Sequence, residues 1–292
     1  MVQGYIDPNF PNPMGPHDAR IVIYGYTPSL TLAALAIALF LVASILHLWL
    51  IVRHRTWYFI PLLVGTVLEV VGYIFRLLSS QQDPYSIPWF VVQYFCIVVA
   101  PVFYGAAIYT VVSVLIRIYG EEHAPLPPKL ILGVFISFDV VATTIQIAGA
   151  ALVGVAYSGQ KDPTAPSHIL LAGLALQVFS FALFLFILAW TLLRSRRSQM
   201  SVSRVFLTTL IVATLALYLR TCFRLADGAQ GLMKSLSTHE VYFGCLEFAP
   251  VVVAVGLLAY GHPGRYLTAT TSKHADTISA DGGEGIALGA LE

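Results

Sequence analysis

The chain has 292 residues, of which 58% are hydrophobic and only 11% charged, and its formal net charge is +1. With a mean hydropathy of +0.79 it is far more apolar than an ordinary soluble domain, so it reads as a polytopic membrane protein. The near-neutral charge, with no basic run interleaved with aromatics outside the apolar segments, gives no basis for a nucleic-acid partner. Cys96, Cys222 and Cys245 all fall in apolar stretches and form no disulfide framework by number or spacing.

Residues 1–28 are rich in Pro, Gly and Asn and contain no cleavable leader, which predicts a loose tail outside the bilayer. Hydropathy then predicts seven spans, at 29–52, 58–78, 89–117, 129–155, 168–193, 205–226 and 241–260. Each is close to the ~20 residues needed to cross ~30 Å of hydrocarbon. Tyr24, Tyr26, Trp57, Tyr58, Trp89 and Tyr157 cluster at their edges, as interfacial aromatics do. The expected fold class is therefore all-α, a seven-helix transmembrane domain over 29–260 followed by a cytoplasmic, disordered tail over 261–292.

Polar residues inside these spans are the candidates for function, because an ionisable group in hydrocarbon needs a partner. In the second span Glu69, Tyr73 and Arg76 stack on one helical face, and in the fourth Asp139, Thr143 and Gln146 repeat that spacing. Pro101 in the third span predicts a kink. Glu69 either pairs with Arg76 or meets a ligand; Asp139 has no cation in its own helix and is either neutral or paired across the bundle. Gln93, Gln146 and Gln177 suit hydrogen bonds between helices.

Near the C-terminal end, Arg220, Arg224 and Asp227 line one face of a helix expected to stop at Gly228. Glu240 and Glu247 follow two turns apart on the next helix, about 10.5 Å of rise. An antiparallel neighbour would set the two arginines against the two glutamates, an ionic clasp inside the bundle to which His239 adds a further titratable group. Other chemistries are excluded by what is missing. No GxxxxGK[ST] loop supplies ATP hydrolysis, no lysine in the seventh span supplies a retinal linkage, and the third and seventh spans lack the DRY and NPxxY receptor signatures. His47, His168 and His239 lie at different depths without metal-ligand spacing, so neither a metal nor another cofactor is expected.

The runs YTPSLTLAALAIALF, LEVVGYIFR, VAPVFYGAAIY, FISFDVVATTIQIAGA, LRTCFRLADGAQG, HEVYFG and HPGRYL, in that order over residues 26–267, resemble the fungal lipid-translocating exporters, also called the resistance-to-aminocholesterol family. The resemblance implies a seven-helix protein of the plasma membrane or an endomembrane, without catalytic residues. It implies a link to sphingoid-base release, tolerance of sterol analogues and drugs under stress, or porphyrin uptake. It places the family's polar signature at Glu69, Arg76, Asp139, Gln146, Arg220, Arg224, Gly231, His239 and Glu240. Asp227 and Glu247 depart from the Glu and Asp common at those positions, keeping charge while changing reach by a methylene.

Two functions follow as expectations. The chain moves a lipid or amphiphilic small molecule between leaflets, with Glu69, Tyr73, Asp139, Thr143 and Gln146 meeting its head group, or it senses such a molecule and signals inward. The short Arg194–Arg204 connection favours transfer, and no protein partner is indicated. Orientation is set by lysine and arginine: Arg53, Arg55, Arg117, Lys129, Arg194, Arg196 and Arg197 share one side, against Arg20, Lys161 and Lys234 on the other. The N-terminus is thus expected outside. Single-cysteine labelling of intact cells should leave a cysteine at Ser198 unreactive from outside; external reactivity there contradicts the orientation.

Overall fold

A computed structural model describes residues 5–10, 18–19, 21–120, 124–158, 162–195, 202–231 and 234–267. Seven helices are long and apolar enough to span a membrane, and no β-strand occurs among the described residues. Helix α1 runs Leu30–His54, opened by the Ser29 hydroxyl, which accepts from the Leu32 N–H at 3.3 Å. Helix α2, Ile60–Gln81, follows a 3₁₀ turn at Trp57–Phe59. Helices α2 and α3, the latter Ile87–Tyr119, each carry a proline in the first turn, Pro61 and Pro88, where a missing N–H removes no helical bond. Helices α4, α5 and α6 cover Pro128–Ser158, Thr164–Ser195 and Arg204–Gln230. After a one-turn helix at Ser235–Thr238, α7 is built in three pieces: Glu240–Tyr242, a π-helical Phe243–Phe248 and Ala249–Tyr260.

Each helix packs on its neighbours in chain order and α7 closes the ring by packing on both α6 and α1. Helix α3 also touches α5 and α6, which makes it the central post. Accordingly 67% of its most apolar stretch is buried, more than in any other span. The outer faces carry Val42, Ile45, Phe179, Phe186 and Leu193, all exposed, a continuous apolar surface that suits hydrocarbon and not water.

Three expectations need correction. The segment before α1 is not loose in its described part. Asp7, Val22, Tyr24 and Tyr85 are buried, the Tyr85 hydroxyl donates to the Phe10 carbonyl at 2.7 Å, and the Ala19 N–H donates to the Tyr85 carbonyl at 2.9 Å. Apolar aromatics there cover the helix ends. Helix α6 does not stop at Gly228 but continues to Gln230, and Gly231 takes the positive φ of 84°. Gly228 serves packing instead, since a Cβ there would lie 2.6 Å from Leu174 Cδ1 on α5. Finally, residues 262–267 of the expected disordered tail form a helical turn docked on the bundle, with His262 fully buried edge-on to Phe59 at 5.2 Å. The remainder of that tail, 268–292, lies outside the described residues.

Helices α4 and α5 approach closely at their backbones. A Cβ on Gly149 would sit 2.5 Å from the Leu170 backbone nitrogen, and backbone cannot step aside as a flexible side chain can. Gly154, on the same helix, has nothing within 4 Å of its Cβ position. Gly149→Ala should therefore destabilise the purified protein by about 1–3 kcal/mol of overpacking. Gly154→Ala should leave the melting temperature unchanged or slightly raised, and equal behaviour of the two variants contradicts the close approach.

Candidate functional site

Three groups of buried polar residues lie around α3. The first lies where the N-terminal segment meets α2 and α7. Arg76 is only 1% exposed, and its Nη2 donates to the Tyr26 hydroxyl at 2.7 Å and to Glu240 Oε1 at 2.9 Å. Its guanidinium lies 4.1 Å from the Phe243 ring centroid and is flanked by Tyr24 and Tyr26 at 5.5 and 5.7 Å, a desolvated cation–π setting. The Ser29 N–H, at the start of α1, donates to both Glu240 oxygens at 2.9 and 3.1 Å, so Glu240 closes the positive end of that helix. Burial pushes the Tyr24 phenol up to about 12 and raises that of Tyr26, with Arg76 opposing in both cases. Both stay neutral at physiological pH.

The second group lies between α2, α3, α6 and α7. Arg220 Nη2 donates to Glu247 Oε1 and, at 2.8 Å, to the Ile97 carbonyl of α3. Arg220 is 4% and Glu247 1% exposed, so the pair is dry. Glu69 belongs here too, since its electrostatic neighbours are Arg220 and Glu247, and it also acts on Tyr73 and Tyr104. Arg224 lies 5.2 Å over the Tyr94 ring and 4.0 Å from Asp227, one turn further along α6.

The third group is on a different face of α3. The Tyr109 hydroxyl donates to Asp139 Oδ2 at 2.8 Å, and the absence of a side chain at Gly105 makes room, because a Cβ there would lie 2.9 Å from that oxygen. Asp139 opens onto a narrow pocket lined by Pro101, Gly105, Tyr109, Gln177, Phe181 and Thr221 among others, with room for about one water molecule. On the same face of α4, Gln146 Nε2 donates to Gln177 Oε1 at 2.9 Å and to the Gly173 carbonyl at 3.3 Å. The buried Thr143 hydroxyl has no partner among the described residues.

The expected residues are thus brought together only in part. Asp139, Thr143 and Gln146 share one buried face, and Glu69 with Tyr73 share another, but α3 stands between the two sets. Arg76 does not reach down to Glu69; it turns toward Tyr26 and Glu240. Of the two expected cross-helix pairs only Arg220 with Glu247 forms, while Arg224 keeps Asp227 of its own helix. Glu240 is taken instead by Arg76 and the Ser29 N–H, and a π-helical stretch, Phe243–Phe248, stands between it and Glu247. His239 stays out of the network: it is exposed, and its Nδ1 meets the Ser235 carbonyl at 2.9 Å. Tyr24, Tyr26 and Ser29 were missed as partners of the network. Their only sequence signal is the aromatic YGY run just ahead of the Ser29 cap. Among the described residues no group of three or more His, Cys, Asp or Glu is placed to hold a metal ion.

These features define a class, a seven-helix membrane bundle that holds ion pairs and further polar groups in its interior. The chain belongs to the RTA1-like protein family, whose sequence model matches residues 62–270. It is similar to the sphingoid long-chain base transporter RSB1 of Saccharomyces cerevisiae, 28% identical over 279 residues that cover 82% of this chain and 73% of the relative. Protein RTM1 of Saccharomyces cerevisiae is 27% identical over 226 residues, covering 73% of this chain and 69% of the relative. Protoporphyrin uptake protein 1 of Saccharomyces cerevisiae is 23% identical over 290 residues, covering 85% and 94%. No solved structure matches.

Removing one member of a dry ion pair strands the other. Arg220→Ala should lower stability by about 3–5 kcal/mol, read as lost folded yield and melting temperature in detergent. The exchange Arg220→Glu with Glu247→Arg should recover part of that loss. Wild-type melting of Arg220→Ala contradicts a structural role for the pair.

Proposed function

We propose that the protein moves a cationic amphiphile of the sphingoid long-chain-base class from one leaflet to the other, in the plasma membrane, with its N-terminus outside and without an ATPase of its own. The observation that carries this reading is a buried carboxyl, Asp139, opening onto a pocket in the bundle and bonded there by the Tyr109 phenol, with no cation bonded to it among the described residues. An ammonium head group is close to water in size and supplies that cation. Gln177, Thr143 and Thr221 offer hydrogen-bonding groups for the hydroxyls beside it. The alkyl tail stays in lipid, along the apolar outer face. The yeast long-chain base transporter supports this substrate class. Glu69 and Tyr73 lie on α2, with α3 between them and this pocket.

Uptake of a porphyrin is the second reading, favoured by the protoporphyrin uptake relative, which the chain covers over 94% of its length. The two differ in charge at the head group. A porphyrin carries carboxylates, which Asp139 repels.

Purified protein in liposomes, followed with a labelled long-chain base, separates them. Loss of a charge-assisted hydrogen bond is worth roughly 1.5–3 kcal/mol, so Asp139→Asn should slow transfer about tenfold or more at unchanged folded yield. Undiminished base transfer by Asp139→Asn overturns the head-group role, and porphyrin transfer without base transfer favours the second reading.

A further inference from the structure

We propose that Glu69, Glu247 and Arg220 form a binding site for one exchangeable proton. The cluster holds two carboxyl groups and one guanidinium in a dry interior, with Glu69 2%, Glu247 1% and Arg220 4% exposed. Arg220 spends its Nη2 on Glu247 and on the Ile97 carbonyl, and among the described residues no hydrogen bond reaches the Glu69 carboxyl. Three further atoms in the cluster are buried without partners among the described residues: Arg220 Nε, Glu247 Oε2 and the Tyr104 hydroxyl, the last an electrostatic neighbour of both Glu69 and Arg220. A site with spare acceptors, a spare hydroxyl and one negative charge too many is built to take up a cation.

The charges facing it from every packed element do not remove that surplus. From α2, Arg76 is committed to Glu240, and Tyr73 is a phenol that brings no cation. From α3 come Cys96 and Tyr104, which add no cation. From α6, Arg224 is offset by Asp227 in the same turn. What remains is one uncompensated carboxylate, and a buried charge without a partner is neutralised rather than tolerated. A metal ion is a poor candidate, since it needs a cage of ligands and space. The α2–α3 contact is so close that a Cβ on Gly65 would lie 2.5 Å from the Tyr104 ring. A proton needs no room.

The same geometry gives the proton a mechanical effect. With the proton bound, Glu69 is neutral and Arg220 belongs to Glu247. When it leaves, Glu69 and Glu247 compete for one guanidinium, which draws α2 and α7 toward α6. Glu247 sits in the π-helical stretch Phe243–Phe248, a segment that re-aims more readily than a regular helix. A cationic amphiphile moving one way and a proton the other would leave the bundle's charge unchanged. The proton site stands on the cluster alone, while its use as a driving force rests on the transport reading above.

Infrared difference spectra of the full chain in lipid nanodiscs, titrated from acid to alkaline pH, test the site without any transport. The wild type should show a carboxylic-acid carbonyl band that bleaches on deprotonation. Glu69→Gln should remove that band, and Glu247→Gln should remove it as well, because Glu69 then pairs with Arg220 as a carboxylate. Asp139 is itself a buried acid without a cation among the described residues, so both glutamine variants are read on an Asp139→Asn background, which should keep the band. Survival of the band in either glutamine variant that folds overturns the proposal, and two variants are included so that misfolding of one leaves the other decisive. In proteoliposomes, base transfer that ignores a transmembrane pH gradient while the band persists overturns the coupling alone. Absence of any base transfer while the band persists overturns the transport reading and leaves the proton site in place.

Discussion

A guanidinium inside a bilayer must find an acceptor within the protein, and the position of α7 follows from that requirement. Arg76 of α2 takes Glu240 at the first residue of α7, and Arg220 of α6 takes Glu247 two turns later. The same two arginines also hold the neighbours on either side. Arg76 bonds the Tyr26 hydroxyl ahead of α1, and Arg220 bonds the Ile97 carbonyl of α3. Buried ion pairs are weak sources of net stability, because desolvation offsets much of their attraction. Their effect here is on register: α7 can slide or rotate only by stranding a charge.

Helix α3 divides what this register leaves over. On one face it backs the Glu69, Arg220 and Glu247 cluster, with acid in excess of base; on another it lines the Asp139 pocket through Pro101, Gly105 and Tyr109. Tyr104 and Gly105 are adjacent in sequence yet serve the two different sites, and Arg220 and Thr221 of α6 do the same. A shift of α3 or α6 would therefore be felt at both acids. If the bundle moves a charged head group as proposed, such an arrangement would link the state of one acid to the shape of the other's pocket.

Much of this was legible in the sequence because hydrocarbon imposes few solutions. Seven apolar runs, separated by turns rich in charge and proline, required seven helices, and Asp139, Thr143 and Gln146 at helical spacing do share one buried face. The pairing of Arg220 with Glu247 was legible from two-turn spacing. That of Arg76 with Glu240 was not, since Glu240 also meets the Ser29 N–H and Arg76 the Tyr26 hydroxyl, both on an N-terminal segment whose composition reads as a tail. The separation of Glu69 from Asp139 was also hidden: helical spacing shows which residues share a face but not which helix stands between two faces. Gly228 misled for a related reason, reading as a cap while its missing side chain admits Leu174.

The tie between α2 and α7 is the most exposed part of the account, because it joins residues 164 positions apart across an interface no sequence pattern indicated. A double-mutant cycle on the thermal stability of the purified protein, with Arg76→Gln, Glu240→Gln and the two combined, measures it directly. Groups in direct contact show coupling of about 0.5–3 kcal/mol, so the double variant should be clearly more stable than the sum of the two single losses predicts. Additivity of the two losses would contradict the pairing on which the placement of α7 depends.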